Sequence, residues 1–237
     1  MGGVGRGERD AIVGLENTAR TNVPTKAEVK SQILNLNTRH LRAVGQAIQR
    51  YDTNGDLVEF DSPFTAVIAA GMQAGSPVGT SLTHKIANVV KVRQDASWNP
   101  TDDSKELIEA GLMFMEKVDN IGRRWKRNIT TNIASSNIAF TEASVNEAVN
   151  FSVKNFRESM EFFVGKPGFA GTVAAAQGVA VNALGLLINV SLVAWRSLSI
   201  ELVLDVLEVA VEIAPVLPIN FVQATIHLVS VPQSAAA

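Results

Sequence analysis

The sequence predicts an α+β protein, with mixed α/β layers in which a mixed sheet packs against several helices. Three observations lead there. Apolar residues recur at helical spacing in some stretches and alternate in others, and the two patterns interleave without a strict βαβ period. Capping-box spacings open two of the helical stretches. The 237 residues are 46% apolar and 19% charged, enough for a core that needs neither disulfide nor metal. Because the chain has no cysteine, a disulfide framework, a thiolate metal site and a thiol nucleophile are excluded. A net charge of -2 argues against a protein that coats nucleic acid by bulk attraction. No basic leader followed by a short apolar core opens the sequence, so the expectation is a soluble protein made in the cytosol.

Residues 1–24 carry Gly2, Gly3, Gly5 and Gly7 among several charges and are expected to form a flexible segment that buries little. Thr25 and Glu28, just after Pro24, cap a helix to about residue 38 with Val29, Ile33 and Leu36 at helical intervals. Residues 41–51 read as one strand and Asp52 to Asp56 as a turn. Pro63 starts a second helix through the alanine-rich stretch to Gly75. Residues 86–92 alternate as a strand. Asp102 or Asp103 caps a third helix with Leu107, Ile108, Gly111, Leu112 and Met115 on one face. Residues 121–129 alternate again as a strand.

Ser144 and Glu147 repeat the capping-box spacing ahead of Val145, Ala148, Val149, Ser152, Phe156, Met160 and Phe163, the most regular helical pattern in the chain, stopped by Gly165 and Pro167. Residues 200–213 are rich in Val and Leu and read as a strand. That assignment puts Glu201 and Asp205 on one face and Glu208 and Glu212 on the other, unless a bulge near Val206 restores a common face. Pro215 and Pro218 break the chain, and residues 221–231 alternate as a final, exchangeable strand.

Charge is uneven. Lys166 and the residues before it hold 20 basic and 19 acidic residues; after it stand only Arg196 and four acids. Residues 167–195 carry no charge at all, longer than the roughly 20 residues a membrane-spanning helix needs. Gln177, Asn182, Asn189, the glycines and the absence of a flanking basic cluster weigh against a span and for a helix in a core or a subunit interface. The alternative function is a membrane-associated protein inserting this segment.

The residues nominate no active site. His40, His84 and His227 stand far apart in sequence, with no second ligand at helical spacing. Asp52, Asn54 and Asp56 have the alternation of a calcium loop, but Gly55 is fourth rather than sixth and Pro63 occupies the twelfth position, so an Asn-Gly turn is the reading. Neither Gly3-Val-Gly5-Arg-Gly7 nor Gly165-Lys166-Pro167 has the context of a phosphate loop. Arg123, Arg124, Trp125, Lys126 and Arg127 form the one basic and aromatic cluster. A strand divides it between two faces, which suits a solvated or partner-facing edge better than a single-strand nucleic-acid groove.

Three stretches, taken in order, resemble the C-terminal, inner part of contractile phage tail sheath proteins. The first runs from Gln32-Ile-Leu-Asn-Leu-Asn37-Thr-Arg39-His to Ser62-Pro63 and on through Gly71, Gly75-Ser-Pro77-Val-Gly79 and Leu82-Thr83-His-Lys85. The second is Ile108-Glu-Ala-Gly111-Leu through Trp125-Lys-Arg127-Asn-Ile-Thr130. The third extends from Glu142-Ala-Ser-Val-Asn146-Glu to Gly168-Phe-Ala-Gly171-Thr and on to Pro218-Ile-Asn-Phe221. The resemblance implies a structural subunit, with no catalysis and no cofactor. Such subunits stack as hexameric rings in a helical sheath around a tail tube and contract to drive that tube through an envelope. The implied partners are further copies of itself, the tail tube protein, and baseplate and tail terminator proteins; the implied place is the virion tail, assembled in the host cytoplasm. It further implies a core over 25–216 and a C-terminal arm over 217–237 that adds a strand to a neighbour, with Phe221, Val222, Ile226, Leu228 and Val229 as docking side chains. Family members hold their tube by polar and charged contacts. Two surfaces here fit that description: the third helix with Lys105, Glu106, Glu109 and Glu116, and the basic strand with Arg123, Arg124, Lys126 and Arg127. Family members are usually about twice as long, with further domains and a donating arm ahead of the part matched.

Overall fold

The computed structural model describes residues 9–17, 23–132, 137–220 and 222–223. The expectation of a segment with little to bury before residue 25 gives way at β1 (Ala11–Gly14), where a short apolar run forms a strand and Leu15 behind it is buried. Gly14 is required there, since a Cβ would run into the backbone of Ser62 and Pro63. Helix α1 (Lys26–Leu36) opens with the expected capping box: Thr25 Oγ1 accepts from the Glu28 amide at 3.3 Å, and Glu28 Oε2 accepts from the Thr25 amide at 2.9 Å. It buries Val29 and Ile33.

The single strand expected over 41–51 is two strands in two sheets. β2 (Leu41–Val44) lies parallel to β1, and β3 (Ala47–Tyr51) pairs elsewhere. The break falls at Gly45 and Gln46. A Cβ at Gly45 would press on Pro24 and Val29 at 3.3 Å, and the buried Gln46 side chain replaces a ladder rung, donating from Nε2 to Met115 O (2.9 Å) and accepting at Oε1 from Met115 N (2.7 Å). The expected turn follows, with Asp52 Oδ1 accepting from the amides of Asn54 and Asp56 and Gly55 at φ 87°. It joins β3 to β4 (Leu57–Phe60), and α2 (Ser62–Ala74) comes next with Pro63 in its first turn, as expected.

Residues 86–92, expected as one strand, form β5 (Ile86–Ala87) and β6 (Lys91–Arg93), which join different sheets. The third helix is shorter than expected. α3 (Ser104–Glu109) ends before Gly111, which takes φ 88°, and Leu112 then bridges Ala43 in parallel. Met115 therefore opens β7 (Met115–Val118) instead of closing a helix, and Glu116 stands on that strand. The strand expected over 121–129 is regular only in β8 (Gly122–Trp125). β4-β3-β6 and β5-β8-β7 are antiparallel sheets. The bonds from Met113 N to Ala43 O and Lys126 N to Phe114 O, both 2.9 Å, tie the parallel β1-β2 pair to the second of them, completing a mixed sheet.

After α4 (Ile138–Thr141), α5 (Ala143–Met160) begins two residues earlier than the Ser144 capping box predicts. Glu142 is the N-cap because its backbone already bridges Ile129 and Ala143 donates to Asn128 O, so Ser144 lies inside the helix with its hydroxyl on Glu142. The 3-10 turn Glu161–Phe163 and Gly165 at φ 81° end this stretch near the expected place. The uncharged run forms α6 (Ala170–Leu187), followed by β9 (Leu192–Val203) and β10 (Val206–Pro215). The expected single strand over 200–213 is thus the far part of a hairpin whose chain reverses at Leu204 and Asp205.

Two apolar clusters fill the first part of the molecule. Val44, Ile48, Leu82, Met113 and Trp125 pack under α2, and Val29, Ile33, Leu107, Leu112 and Phe114 pack under α1. A smaller third cluster of Leu184, Leu187 and Leu192 joins α5 and α6 to the hairpin.

Candidate functional site

β10 alternates without interruption: Leu207, Val209, Val211 and Ile213 are half-buried, while Val206, Glu208, Ala210 and Glu212 are exposed. In β9 the inward residues are Trp195, Leu198 and Ile200. Their spacing slips between Trp195 and Leu198, where Ser197 takes φ 56° and the register shifts opposite Ala210 and Glu212. The inward side rests on Phe151 and Phe156 of α5 and on the Leu184 and Leu187 seam of α6.

The acids settle differently from the expectation. Because the chain folds back, Glu201 and Glu208 are directly opposed partners on one exposed face, Glu212 shares that face with Arg196 at 2.5 Å, and Asp205 belongs to the turn. The bulge lies in β9 at Ser197, not near Val206. Two like charges directly opposed weaken a ribbon, and within the hairpin Glu201 has a Ser199 hydroxyl at 3.4 Å but the pair has no cation.

β9 and β10 form a sheet of two strands, and among the described residues neither outer edge has a strand partner. Near the turn Leu204 is 93% exposed, and Val203 and Val206 are exposed as well. Below this tip lies a groove of about 470 Å³, lined on one side by Phe163, Val164 and Gly168 and on the other by Leu202, Leu207 and Val209. A two-stranded ribbon with open edges and outward apolar side chains is marginal alone and is a template for a further strand.

The chain leaves β10 at the end opposite the tip. Val216 donates to Ser191 O at 3.0 Å and packs on Gly79, where a Cβ would meet it at 2.7 Å. Asn220 Nδ2 then donates to Glu142 Oε2 at 3.0 Å. Of the expected docking residues, Val222 is 88% exposed and outside any strand, and Phe221, Ile226, Leu228 and Val229 lie outside the described residues.

Most of the charges expected to face a tube or neighbour are paired within the chain. Glu116, almost fully buried, accepts from Arg124 at 2.8 Å and Lys126 at 2.7 Å. Burial pushes its carboxyl up, but the hydrogen bonds from Lys126 and Arg124 outweigh that and hold it below its ordinary value. Arg127 reaches Glu142 at 3.3 Å. For Glu142 burial wins, and its carboxyl lies above the usual carboxylate range despite Arg127, Ser81, Ser144 and Asn220. Arg123 is half-buried on the strand face that also holds the buried Trp125. On α3, Glu106 is held by Lys26 and Lys30, and the exposed Glu109 lies 3.8 Å from Lys105.

A second polar cluster was not legible in the sequence. Buried Arg42 donates to Gln73 Oε1 (3.0 Å) and Asn128 Oδ1 (3.2 Å), and Gln73 Nε2 donates to Glu147 at 2.7 Å. Burial is the main cause that pushes Glu147 up to about 7, with the Asp10 charge adding and Arg42 and Gln73 opposing. Among the described residues no three His, Asp or Glu side chains gather in a group that could hold a metal ion.

No family model matches the chain. Over 174 residues, 72% of its length, it is 29% identical to the tail sheath protein of Bacillus phage SP01, and the match spans 30% of that relative. Its fold is similar to a chain of the contracted helical sheath of the anti-feeding prophage, with a TM-score of 0.68, 13% identity, and coverage of 92% of this chain and 61% of the other. A chain of the anti-feeding prophage baseplate is similar too, at TM-score 0.66 and 11% identity over 93% of this chain and 60% of the other. The chain therefore spans less than a third of its curated relative and about three fifths of these solved chains. These likenesses bear out the resemblance to tail sheath proteins and the α+β class. They do not favour the membrane alternative: α6 is long and apolar enough to cross a bilayer, with a mean hydropathy of 1.4, yet its Ala176, Ala180, Ala183, Leu184 and Leu187 seam is buried against its neighbours in a fold shared with sheath chains.

Proposed function

We propose that this chain is the inner, C-terminal part of a contractile tail sheath subunit that works by assembly, without catalysis or a cofactor. The observation that carries the reading is the β9-β10 ribbon, a two-stranded sheet with both edges open among the described residues, in a chain whose fold resembles a contracted sheath. Residues 25–216 are the core and 217–237 the arm. The arm starts at the far end of the ribbon from its tip, and in this reading it adds to a neighbour. A head-to-tail strand link of this kind need not close and generates a helical stack of rings. The partners are further copies of the chain, the tail tube and the baseplate and terminator proteins at the two ends. The place is the virion tail, assembled in the host cytoplasm.

The test is size-exclusion chromatography with light scattering over a concentration series, for the full chain and for a version ending at Leu217, in detergent-free buffer. The full chain is expected to form large, concentration-dependent assemblies. The shortened chain is expected to stay folded and monomeric, and to bind a peptide of residues 217–231. Assemblies that survive the truncation, or a shortened chain that unfolds outright, would overturn the strand-link reading.

A further inference from the structure

Glu142, Asn146 and Asn150 are spaced four residues apart, so they share one face of the first two turns of α5. All three are buried, at 1%, 1% and 8% exposure, although a polar stripe at the start of an 18-residue helix would ordinarily face water. Their partners explain the burial. Asn146 Nδ2 (2.8 Å) and Asn150 Nδ2 (3.1 Å) both donate to Asp10 Oδ1, directly before β1, and Asn146 also donates to Arg39 O at 3.1 Å. The His40 ring lies 3.2 Å from the same Asp10 oxygen. Four residues back, Glu142 Oε2 accepts from Asn220, in the first residues of the C-terminal arm. One side of the helix start thus grips the root of the segment that precedes β1 and the root of the segment that follows β10, about 6–12 Å apart along the axis at 1.5 Å per residue.

We infer that the first two turns of α5 are a shared mount for both ends of the chain, with Glu142 the positioning residue for the C-terminal segment and Asn146 and Asn150 those for the N-terminal segment. The mount fixes the direction in which each segment leaves the core. A pull entering through either segment reaches a helix whose base is tied to Asn128 and Ile129, and it bypasses the marginal β9-β10 ribbon. The assembly consequence rests on the strand-link reading above; the mount itself does not.

Hydrogen exchange on the unassembled full chain tests the mount. Asn220→Ala is expected to speed exchange about tenfold at the Val216 amide, which is bonded to Ser191 O beside this root, and to leave β9 and β10 unchanged; Asn220→Ser, which keeps a donor, restores protection. Asp10→Ala is expected to do the same for residues 9–14, with Asp10→Asn, which keeps an accepting oxygen, restoring it. Unchanged exchange at both roots, or release spread evenly over the whole chain, overturns the mount. Assembly of the folded Asn220→Ala chain is then read by light scattering beside the version ending at Leu217. If the truncated chain loses assembly and Asn220→Ala keeps it, the strand link stands and the mount has no part in it. Local release at the root together with at least a tenfold rise in the concentration needed to assemble supports both.

Discussion

Replacing Gln46 with Met is the sharpest test of how the core is joined. Gln46 is 1% exposed, and among the described residues its amide is the group that hydrogen-bonds from the break between β2 and β3 to the start of β7. Methionine has nearly the same length and volume, so packing changes little. Both backbone groups of the buried Met115 then lose the partner they have at 2.7 and 2.9 Å. Leaving a buried donor or acceptor unsatisfied costs about 1–3 kcal/mol, so losing both costs about 2–6 kcal/mol, a large share of the 5–15 kcal/mol typical of a whole domain. Urea unfolding followed by circular dichroism gives the total, and hydrogen exchange at the Met115 amide reports the site. A loss under about 1 kcal/mol, with Met115 exchange unchanged, would show that Gln46 is a passenger and that the sheet is continuous without it.

Glu147→Gln tests the Arg42 cluster through pH. Its carboxyl is raised to about 7 in the folded chain, so the folded state binds the proton more tightly than the unfolded one. The associated stability is complete below the ordinary carboxylate range and is lost as pH rises through about 7. After discounting for partial exposure the effect is about 1–2 kcal/mol. The wild-type chain should therefore melt lower at pH 8 than at pH 5, and a slope that persists unaltered in Glu147→Gln would assign it to another group. Glu116→Ala removes the acceptor shared by Arg124 and Lys126. Because both cations still reach water, the expected cost is about 2 kcal/mol, below the 3–5 of a fully buried pair, and equilibrium unfolding that shows no change would contradict the shared-acceptor geometry. Gly14→Val drives a side chain into the Ser62–Pro63 backbone, so β1 should detach from β2 and lose exchange protection over residues 11–14; protection equal to wild type would show that the contact yields.

Local signals reached the elements whose ends are set by local chemistry. Thr25 with Glu28, Asp52 with Gly55, and Pro63 each act within four residues, and each is found as read. The errors fall where a distant residue decides. Nothing near Gln46 announces that its side chain will take over a ladder rung from Met115 at 69 residues' separation. Ser144 has the capping spacing, but Glu142 wins because Ile129 and Asn128 already hold its backbone and that of Ala143. The hairpin turn was invisible for a different reason: the φ 58° position is filled by Leu204, where glycine is the usual signal. An apolar residue at 93% exposure in that position is costly locally, which fits a tip completed by contacts beyond the chain.

The same division governs the site. The apolar, charge-poor character of the last 71 residues could be read directly, and it is this part that carries the open ribbon and the groove beneath its tip. The direction of charge could not. Arg124, Lys126 and Arg127 look like an outward basic strip in one dimension, yet Glu116 and Glu142 reach them from β7 and from the start of α5. Pairing reduces the field the strip offers a partner, although the three cations share only two carboxylates. On the ribbon the arithmetic runs the other way: Arg196 offsets Glu212 alone, and Glu201 and Glu208 face each other unpaired. A hairpin free to choose its sequence for stability would place opposite charges there. Two acids opposed on an exposed face, beside apolar residues that point outward, fit the proposed strand link, in which a neighbour completes the ribbon.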